Sequence, residues 1–372
     1  MKIVQLVTQR QYRGAEIAAA ALTAQLTANG QEVVFAGLYK TNGQALTAEG
    51  AVNIDIGDFK RKQFSALVLY QLLRFVVQYK PDLIQANGSD TIKYAAVVKM
   101  LWPRFKLVYR NISILSVWLG KSRFKRKLYR WLFQQVDHIT SVGYEAANDI
   151  GKTLLLPDSK ITVIRRSVFS TTVNKAEAAA IIKHKYQWSA ADRILFAAGS
   201  FSSEKNFSFL VEVMAQLCMQ SKNIRLIIAG KGPEQEQIQQ QIIEKGLQAF
   251  IILPGFEADL STYYAAADVF VMCSKVEGVP GVILEAGLAA TPAIANDTGG
   301  VKEVIQHGVT GILLPSLDVS SYVTTVLHLI NNPALCTQLG EAARQFVTTA
   351  FNPEKNIETY INLYNRLTAS VK

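Results

Sequence analysis

Short runs of β-branched and apolar residues alternate with longer amphipathic stretches along the whole chain, the pattern of a parallel-sheet α/β protein. Residues 2–8 read as a buried strand, followed by a turn carrying Arg13 and Gly14 and an Ala-rich helix running to Gly30. Residues 31–38, 82–86, 106–110, 138–142 and 160–164 are further strands of the first half, with helical segments between most of them. The rhythm breaks after Arg165, and residues 169–192 read as a linker. It restarts at 193–198, with strands at 224–229, 250–253, 268–273, 292–295 and 311–314. Helices are predicted near 207–219, 234–245, 282–289 and 301–307. Two βα-repeating units of similar size imply two Rossmann-like domains with parallel sheets facing a central cleft, residues 1–168 and 193–352. The last helix, 353–370, carries Tyr360, Leu363 and Leu367 on one face and is expected to pack back on the first domain.

With 372 residues, 49% of them hydrophobic, the chain has apolar material for about two cores, and disorder is excluded. The longest apolar stretch, 65–79, is broken by Arg74 and is shorter than the roughly 18–20 residues that a bilayer demands. Lys2 alone makes no signal-peptide n-region. Cys218, Cys273 and Cys336 are scattered and odd in number, so neither a disulfide framework nor a zinc site is encoded. A cytoplasmic protein is expected. Charge sharpens this picture. Residues 1–170 hold 24 Lys and Arg against 11 Asp and Glu, whereas the remainder holds 15 against 18. A one-sided positive field attracts phosphorylated substrates, anionic membrane or nucleic acid.

Four loops carry candidate chemistry. In Glu277-Gly-Val-Pro-Gly281-Val-Ile-Leu-Glu285, a Gly/Pro loop opens into a helix. The backbone N–H groups of Gly281, Val282 and Ile283 then form an anion site, with a carboxylate on either side for hydroxyl-rich groups. A diphosphate flanked by two sugars matches that arrangement. Gly199-Ser200-Phe-Ser-Ser-Glu204-Lys205-Asn206 lies at a strand end, where Lys205 can neutralise a phosphate. Gln11-Tyr-Arg13-Gly14-Ala-Glu16 follows the first strand but lacks the full GxGxxG fingerprint, which disfavours a nicotinamide cofactor. Gly230-Lys-Gly232-Pro233 reads equally well as a plain turn or a ligand loop.

Together, in this order, these loops resemble glycosyltransferase family 4, whose members have the GT-B fold. The fragment from Asp268 through Glu277 to Gly287, then Thr291-Pro292 and Gly299-Gly300-Val-Lys-Glu303, is similar to the family's donor-domain signature. The segments Pro81–Asn87 and Lys106–Asn111, more weakly, resemble its acceptor-domain strands. The resemblance implies a retaining glycosyltransferase that uses a nucleotide-sugar donor, UDP- or GDP-linked, with no cofactor and no metal. It assigns Glu277 to the hydroxyls of the transferred sugar and Glu285 to the ribose. The N–H groups of Val282 and Ile283 and the side chain of Lys205 fall to the diphosphate, Gly14 lies under the donor, and Phe256 lies near the nucleobase. Arg13, Asn87, Arg110 and Asn111 become the acceptor-side candidates, the acceptor being a glycan or lipid-linked sugar of cell-surface polysaccharide or glycolipid.

The chain departs from the family at three points, the first being Arg13-Gly14 where a Gly-Gly pair is common. Ser200 stands where Arg is frequent, leaving Arg13, Arg166 or Lys275 as replacement cations. Asn87 or Asn111 stands where many members have histidine, and Asn is no general base at neutral pH. His138 begins a strand and reads as structural. The leaving diphosphate oxygen is then expected to take the acceptor proton. These departures keep alive a catalytically weak GT-B partner subunit, and more remotely a sugar-nucleotide epimerase. Finally, in the segment that begins at Trp118, Lys121, Arg123, Lys125, Arg126, Lys127 and Arg130 accompany Phe124, Leu128, Trp131 and Leu132 at helical spacing. A basic amphipathic helix of this kind fits an anionic bilayer surface, here the cytoplasmic face of the inner membrane, unless the apolar residues face the core. Nucleic acid is the weaker partner, since no binding module accompanies the charge.

Overall fold

The computed structural model describes residues 1–59, 64–120, 122–168 and 173–369. They form two compact units, Met1–Ser167 with the segment from Pro353, and Val168–Asn352. The first contains a seven-stranded parallel sheet of β1 (Lys2–Gln9), β2 (Glu32–Lys40), β3 (Val52–Phe59), β4 (Leu83–Asn87), β5 (Lys106–Asn111), β6 (His138–Ser141) and β7 (Ile161–Val163). Its spatial order is β3-β2-β1-β4-β5-β6-β7. The second contains β8 (Arg193–Ala198), β9 (Ile224–Ala229), β10 (Ile251–Gly255), β11 (Val269–Met272), β12 (Ala293–Asn296) and β13 (Gly311–Leu314), ordered β10-β9-β8-β11-β12-β13. Every pairing is parallel. The strands read as nearly continuous apolar runs because helices cover both faces of each sheet. Leu195 and Ala197 of β8 pack into one core layer of the second unit, and Ile194, Phe196 and Ala198 into the other.

Strand β3 is absent from the sequence-based reading. Its run Val-Asn-Ile-Asp-Ile-Gly-Asp-Phe carries polar residues because it is an edge strand, and Asp55 is neutralised by Arg10 at 2.8 Å. The expected linker 169–192 is also corrected. Residues 169–172 lie outside the described residues, but Lys175–Lys185 is a helix of the second unit. Asn174 caps it, Ala178 and Ile182 are buried, and Lys175 reaches the hydroxyl of Thr291 at 2.7 Å. Loop-like composition there reflects a short helix with a narrow buried stripe. The helix expected at 301–307 is only a 3₁₀ turn, Gly299–Glu303, because the chain must turn at Gly308 to enter β13. The terminal helix Pro353–Ala369 belongs to the first unit, where Ile357, Tyr360, Leu363 and Tyr364 pack against Ile3, Leu22 and Val108.

Candidate active site

In each sheet the strand order reverses beside the first strand of the unit, and doubly wound sheets bind ligands outside the carboxyl ends of strands at that switch point. In the second unit the switch lies between β8 and β11. The loop 199–206 leaves β8 there, and the loop 273–280 leaves β11. The two are tied together. The Lys275 N–H donates to the Glu204 carbonyl at 2.7 Å, and the Cys273 thiol faces the carbonyls of Lys205 and Asn206 at 3.3 and 3.2 Å. Burial pushes the Cys273 thiol well up, so its proton stays available for that contact.

This knot brings two predicted residues into direct contact. Lys205 Nζ donates to Glu277 Oε1 at 2.5 Å, with side chains 25% and 9% exposed. Next to them the helix Gly281–Leu288 begins at Pro280 with no side-chain cap. Of the three amides expected to be open, that of Ile283 is engaged with the Pro280 carbonyl at 3.3 Å, a turn that the Pro-Gly start of the helix favours. Glu285, one turn on, is half-buried and accepts a 2.9 Å bond from the Tyr264 hydroxyl. Tyr264 was not among the sequence candidates; its signal is a polar-tipped aromatic in an alanine-rich buried helix, Ser261–Ala266.

The glycine motifs hold the loops in register. Gly299 has φ +52°, and a Cβ there would lie 1.9 Å from the Glu277 carbonyl oxygen. The Gly299-Gly300 pair therefore lets β12's loop press on the carboxylate-bearing loop. Gly230 plays the same part for the lysine loop, since its Cβ would fall 1.8 Å from the Gly199 oxygen. Gly230 to Pro233 thus supports the site by packing. Ser200 is exposed and lies 3.3 Å from Ser202, Oγ to Oγ, and Phe256 is exposed just past β10. Behind the site, the Tyr322 hydroxyl donates to the Met272 carbonyl at 2.7 Å and sits 3.2 Å from Asn296 Oδ1.

The first-unit candidates are placed differently. Arg13 and Gly14 are exposed at the start of the helix Gly14–Ala28, where Arg166 Nη1 would be 3.9 Å from a Gly14 Cβ. Asn87 is buried, and its amide donates to Gln5 Oε1 at 3.0 Å while Gln85 Nε2 donates to its oxygen at 3.2 Å. Asn111 is fully buried with its amide on the Ala146 carbonyl at 2.9 Å. Both side chains are held inside the first unit, Asn87 by the sheet and Asn111 by the helix Tyr144–Leu154. Arg110 is 3% exposed on β5. His138 is buried and bonded to Thr162 Oγ1 at 2.8 Å; burial, helped by Arg366 and Lys160, lowers its pKa to about 4. It is a neutral structural residue at pH 7. Lys275 is exposed, and Lys121 lies outside the described residues.

Two doubly wound parallel sheets, with polar loops gathered at a switch point, define a protein of the GT-B type. Residues 12–169 match the sequence model for Glycosyltransferase Family 4, and residues 179–346 match that for Glycosyl transferases group 1. The chain belongs to the family 4 glycosyltransferases. Among similar proteins is the N-acetyl-α-D-glucosaminyl L-malate synthase of Bacillus anthracis, 26% identical over 72% of this chain and 69% of that protein. A lipopolysaccharide core biosynthesis glycosyltransferase of Rhizobium meliloti is 24% identical over 53% of this chain and 56% of that protein. The 2-deoxystreptamine N-acetyl-D-glucosaminyltransferase of Niallia circulans is 30% identical, and the chain spans 45% of its length. Of solved structures, Anabaena HepE in complex with UDP-glucose superposes with a TM-score of 0.84 at 19% identity, over 98% of this chain and all of that one.

Proposed function

We propose that this protein transfers a sugar from a nucleoside-diphosphate sugar to a glycan or lipid-linked acceptor, with retention of anomeric configuration and without a metal. The observation that carries this reading is the Lys205–Glu277 contact beside the uncapped start of the Gly281–Leu288 helix. Cation, helix terminus and carboxylate together meet the three parts of a diphosphate-linked sugar. Lys205 and the amide of Val282 hold the diphosphate, Glu277 takes the sugar hydroxyls, and Glu285, oriented by Tyr264, takes the ribose. The relatives named above as sugar transferases support sugar transfer, and HepE with its UDP-glucose supports a UDP-linked donor.

In the reaction, the bond from the anomeric carbon to the phosphate oxygen breaks. The acceptor oxygen bonds to that carbon on the same face, and its proton passes to the departing diphosphate oxygen. This route suits the first unit, where Asn87, Asn111 and the buried neutral His138 provide no general base. The protein's task is then to stabilise charge on the leaving group, the term that usually dominates enzymatic rate enhancement. A thermal-shift screen of UDP-, GDP- and ADP-sugars, followed by NMR of the product's anomeric centre, tests the reading. Inverted product, or a strict loss of rate with EDTA, refutes the corresponding part of it. Binding of the donor with neither transfer nor hydrolysis selects the partner-subunit reading.

We also propose that the first unit docks on an anionic membrane. No helix among the described residues is long and apolar enough to cross a bilayer. Instead the helix Arg123–Gln134 buries Tyr129, Leu132 and Phe133 and leaves Phe124, Leu128 and Trp131 in solvent, with Phe124 77% exposed. Val117 and Trp118 of the preceding short helix are exposed as well. Of the apolar residues singled out in this segment, only Leu132 faces the core. Exposed aromatics interleaved with Arg123, Lys125, Arg126, Lys127 and Arg130 support attachment at a headgroup layer.

A further inference from the structure

On β4, β5 and β6, residues Asn87, Arg110 and Thr140 are register partners, and residues aligned across neighbouring strands share a face of the sheet. Val108, two residues before Arg110, packs with Leu22, Tyr360 and Tyr364, so this is the face covered by the Gly14–Ala28 and Pro353–Ala369 helices. Arg110 is buried there, and its Nε and Nη1 have no hydrogen-bond partner among the described residues; nor does the hydroxyl of fully buried Thr140. A buried guanidinium with two idle donors is costly, and such groups in native proteins are ordinarily met by water or an ion. Tyr364 is no counter-charge, because burial holds its phenol protonated well above its usual range.

Arg110 borders a cavity of about 10 Å³, the room of one water or one oxygen of a larger group. Buried Leu22, Arg110 and Tyr360 form its floor, and half-exposed Arg165, Arg166 and Ser167 stand on its rim. Three of its lining residues are arginines and none is acidic. We propose that this cavity binds a carboxylate or phosphate group, one oxygen entering between the Arg110 donors and the remainder meeting the rim arginines. A guanidinium presents parallel N–H donors matched to both groups. The inference stands on the first unit alone and does not depend on the nucleotide-sugar reading of the second.

The test is thermal shift and calorimetry of the full chain with inorganic phosphate and, separately, succinate, at constant ionic strength, with chloride as a control arm. A saturable stabilisation by phosphate, succinate or both is expected, and the arm that responds identifies the group. Arg110→Gln should weaken that binding by roughly 10–100-fold, the effect of losing a charge-assisted pair of bonds. Ala21→Leu, which keeps every charge and fills the cavity from its rim, should abolish it and covers the case in which the arginine variant does not fold. Three outcomes overturn the proposal: no saturable response to either anion, an equal response in both variants, or a response to chloride to which the oxyanions add nothing.

Discussion

Replacing Lys205 by Ala removes the partner of a carboxylate whose side chain is only 9% exposed. Breaking a fully buried pair costs about 3–5 kcal/mol, and an exposed pair contributes about 0.2–1 kcal/mol. Lys205 is a quarter exposed, so solvent screens the contact and about 1–2 kcal/mol of coupling is expected. A double-mutant cycle of Lys205→Ala, Glu277→Gln and both, read by urea unfolding, measures that coupling directly. The same pair sets a condition on binding. If Lys205 and Glu277 act as proposed, a diphosphate draws Lys205 away from Glu277, and the sugar then satisfies the carboxylate. UDP without a sugar gains the first contact and leaves the second unmet. Glu277→Gln removes that penalty, so bare UDP should bind the variant about 5–30-fold more tightly than wild type, the equivalent of that coupling.

Turnover should move the other way. Lys205→Ala is expected to lose about 10²–10³ in kcat, the scale of losing one oriented donor to a developing negative charge. Glu277→Gln should lose turnover with little rise in KM, because contacts to the transferred sugar strengthen as charge develops at the reacting carbon. Near-wild-type activity of Lys205→Ala refutes its role at the leaving group. UDP binding to Glu277→Gln that is no tighter than to wild type, or a cycle additive within about 0.3 kcal/mol, refutes the competition between diphosphate and carboxylate.

Three further outcomes are expected. Glu285→Ala should raise the donor Kd and KM with kcat nearly intact, since ribose contacts are alike in ground and transition states, and Tyr264→Phe should do the same more mildly; a fall in kcat alone would contradict the ribose assignment. Replacing Lys125, Arg126 and Lys127 by Ser should release the protein from anionic vesicles, and wild-type binding should fade with salt over a Debye length of about 8–10 Å; co-sedimentation of the triple variant would remove the membrane reading. His138 should make the protein acid-labile. Its pKa drops from 6.5 to about 4 on folding, so the unfolded state binds the extra proton and stability falls as pH drops from 6.5 towards 4, by about 1.4 kcal/mol per unit. His138→Gln, which can keep the bond to Thr162, should flatten that slope in urea titrations at pH 4 to 7, and an unchanged slope would show that other groups carry it.

Apolar periodicity revealed twelve of the thirteen strands among the described residues, because central strands of a parallel sheet are apolar on both faces, and it failed where burial is one-sided or polar groups are paired. Strand β3 was hidden because Asp55 reads as a loop residue until Arg10 is seen beside it. The helix Lys175–Lys185 was hidden because only Ala178 and Ile182 of its residues are buried. The site shows the same division. Spacing could place Glu277, Glu285 and Lys205 at strand ends and helix starts, since those roles depend on local chain geometry. It could not reveal that Lys205 and Glu277, 72 residues apart, touch before any ligand arrives. Nor could it separate Arg110 from Asn87 and Asn111, all polar residues at the ends of strands β4 and β5. That distinction rests on which side-chain donors find acceptors within the first unit. Asn87 donates to Gln5 in the sheet, and Asn111 donates to Ala146 of the helix Tyr144–Leu154, although its own Oδ1 is left without a partner among the described residues. The guanidinium of Arg110 keeps two donor nitrogens without an acceptor among the described residues. A buried charge retained in that state implies either a standing loss of stability or an occupant, and the alternative is decided by adding the anion.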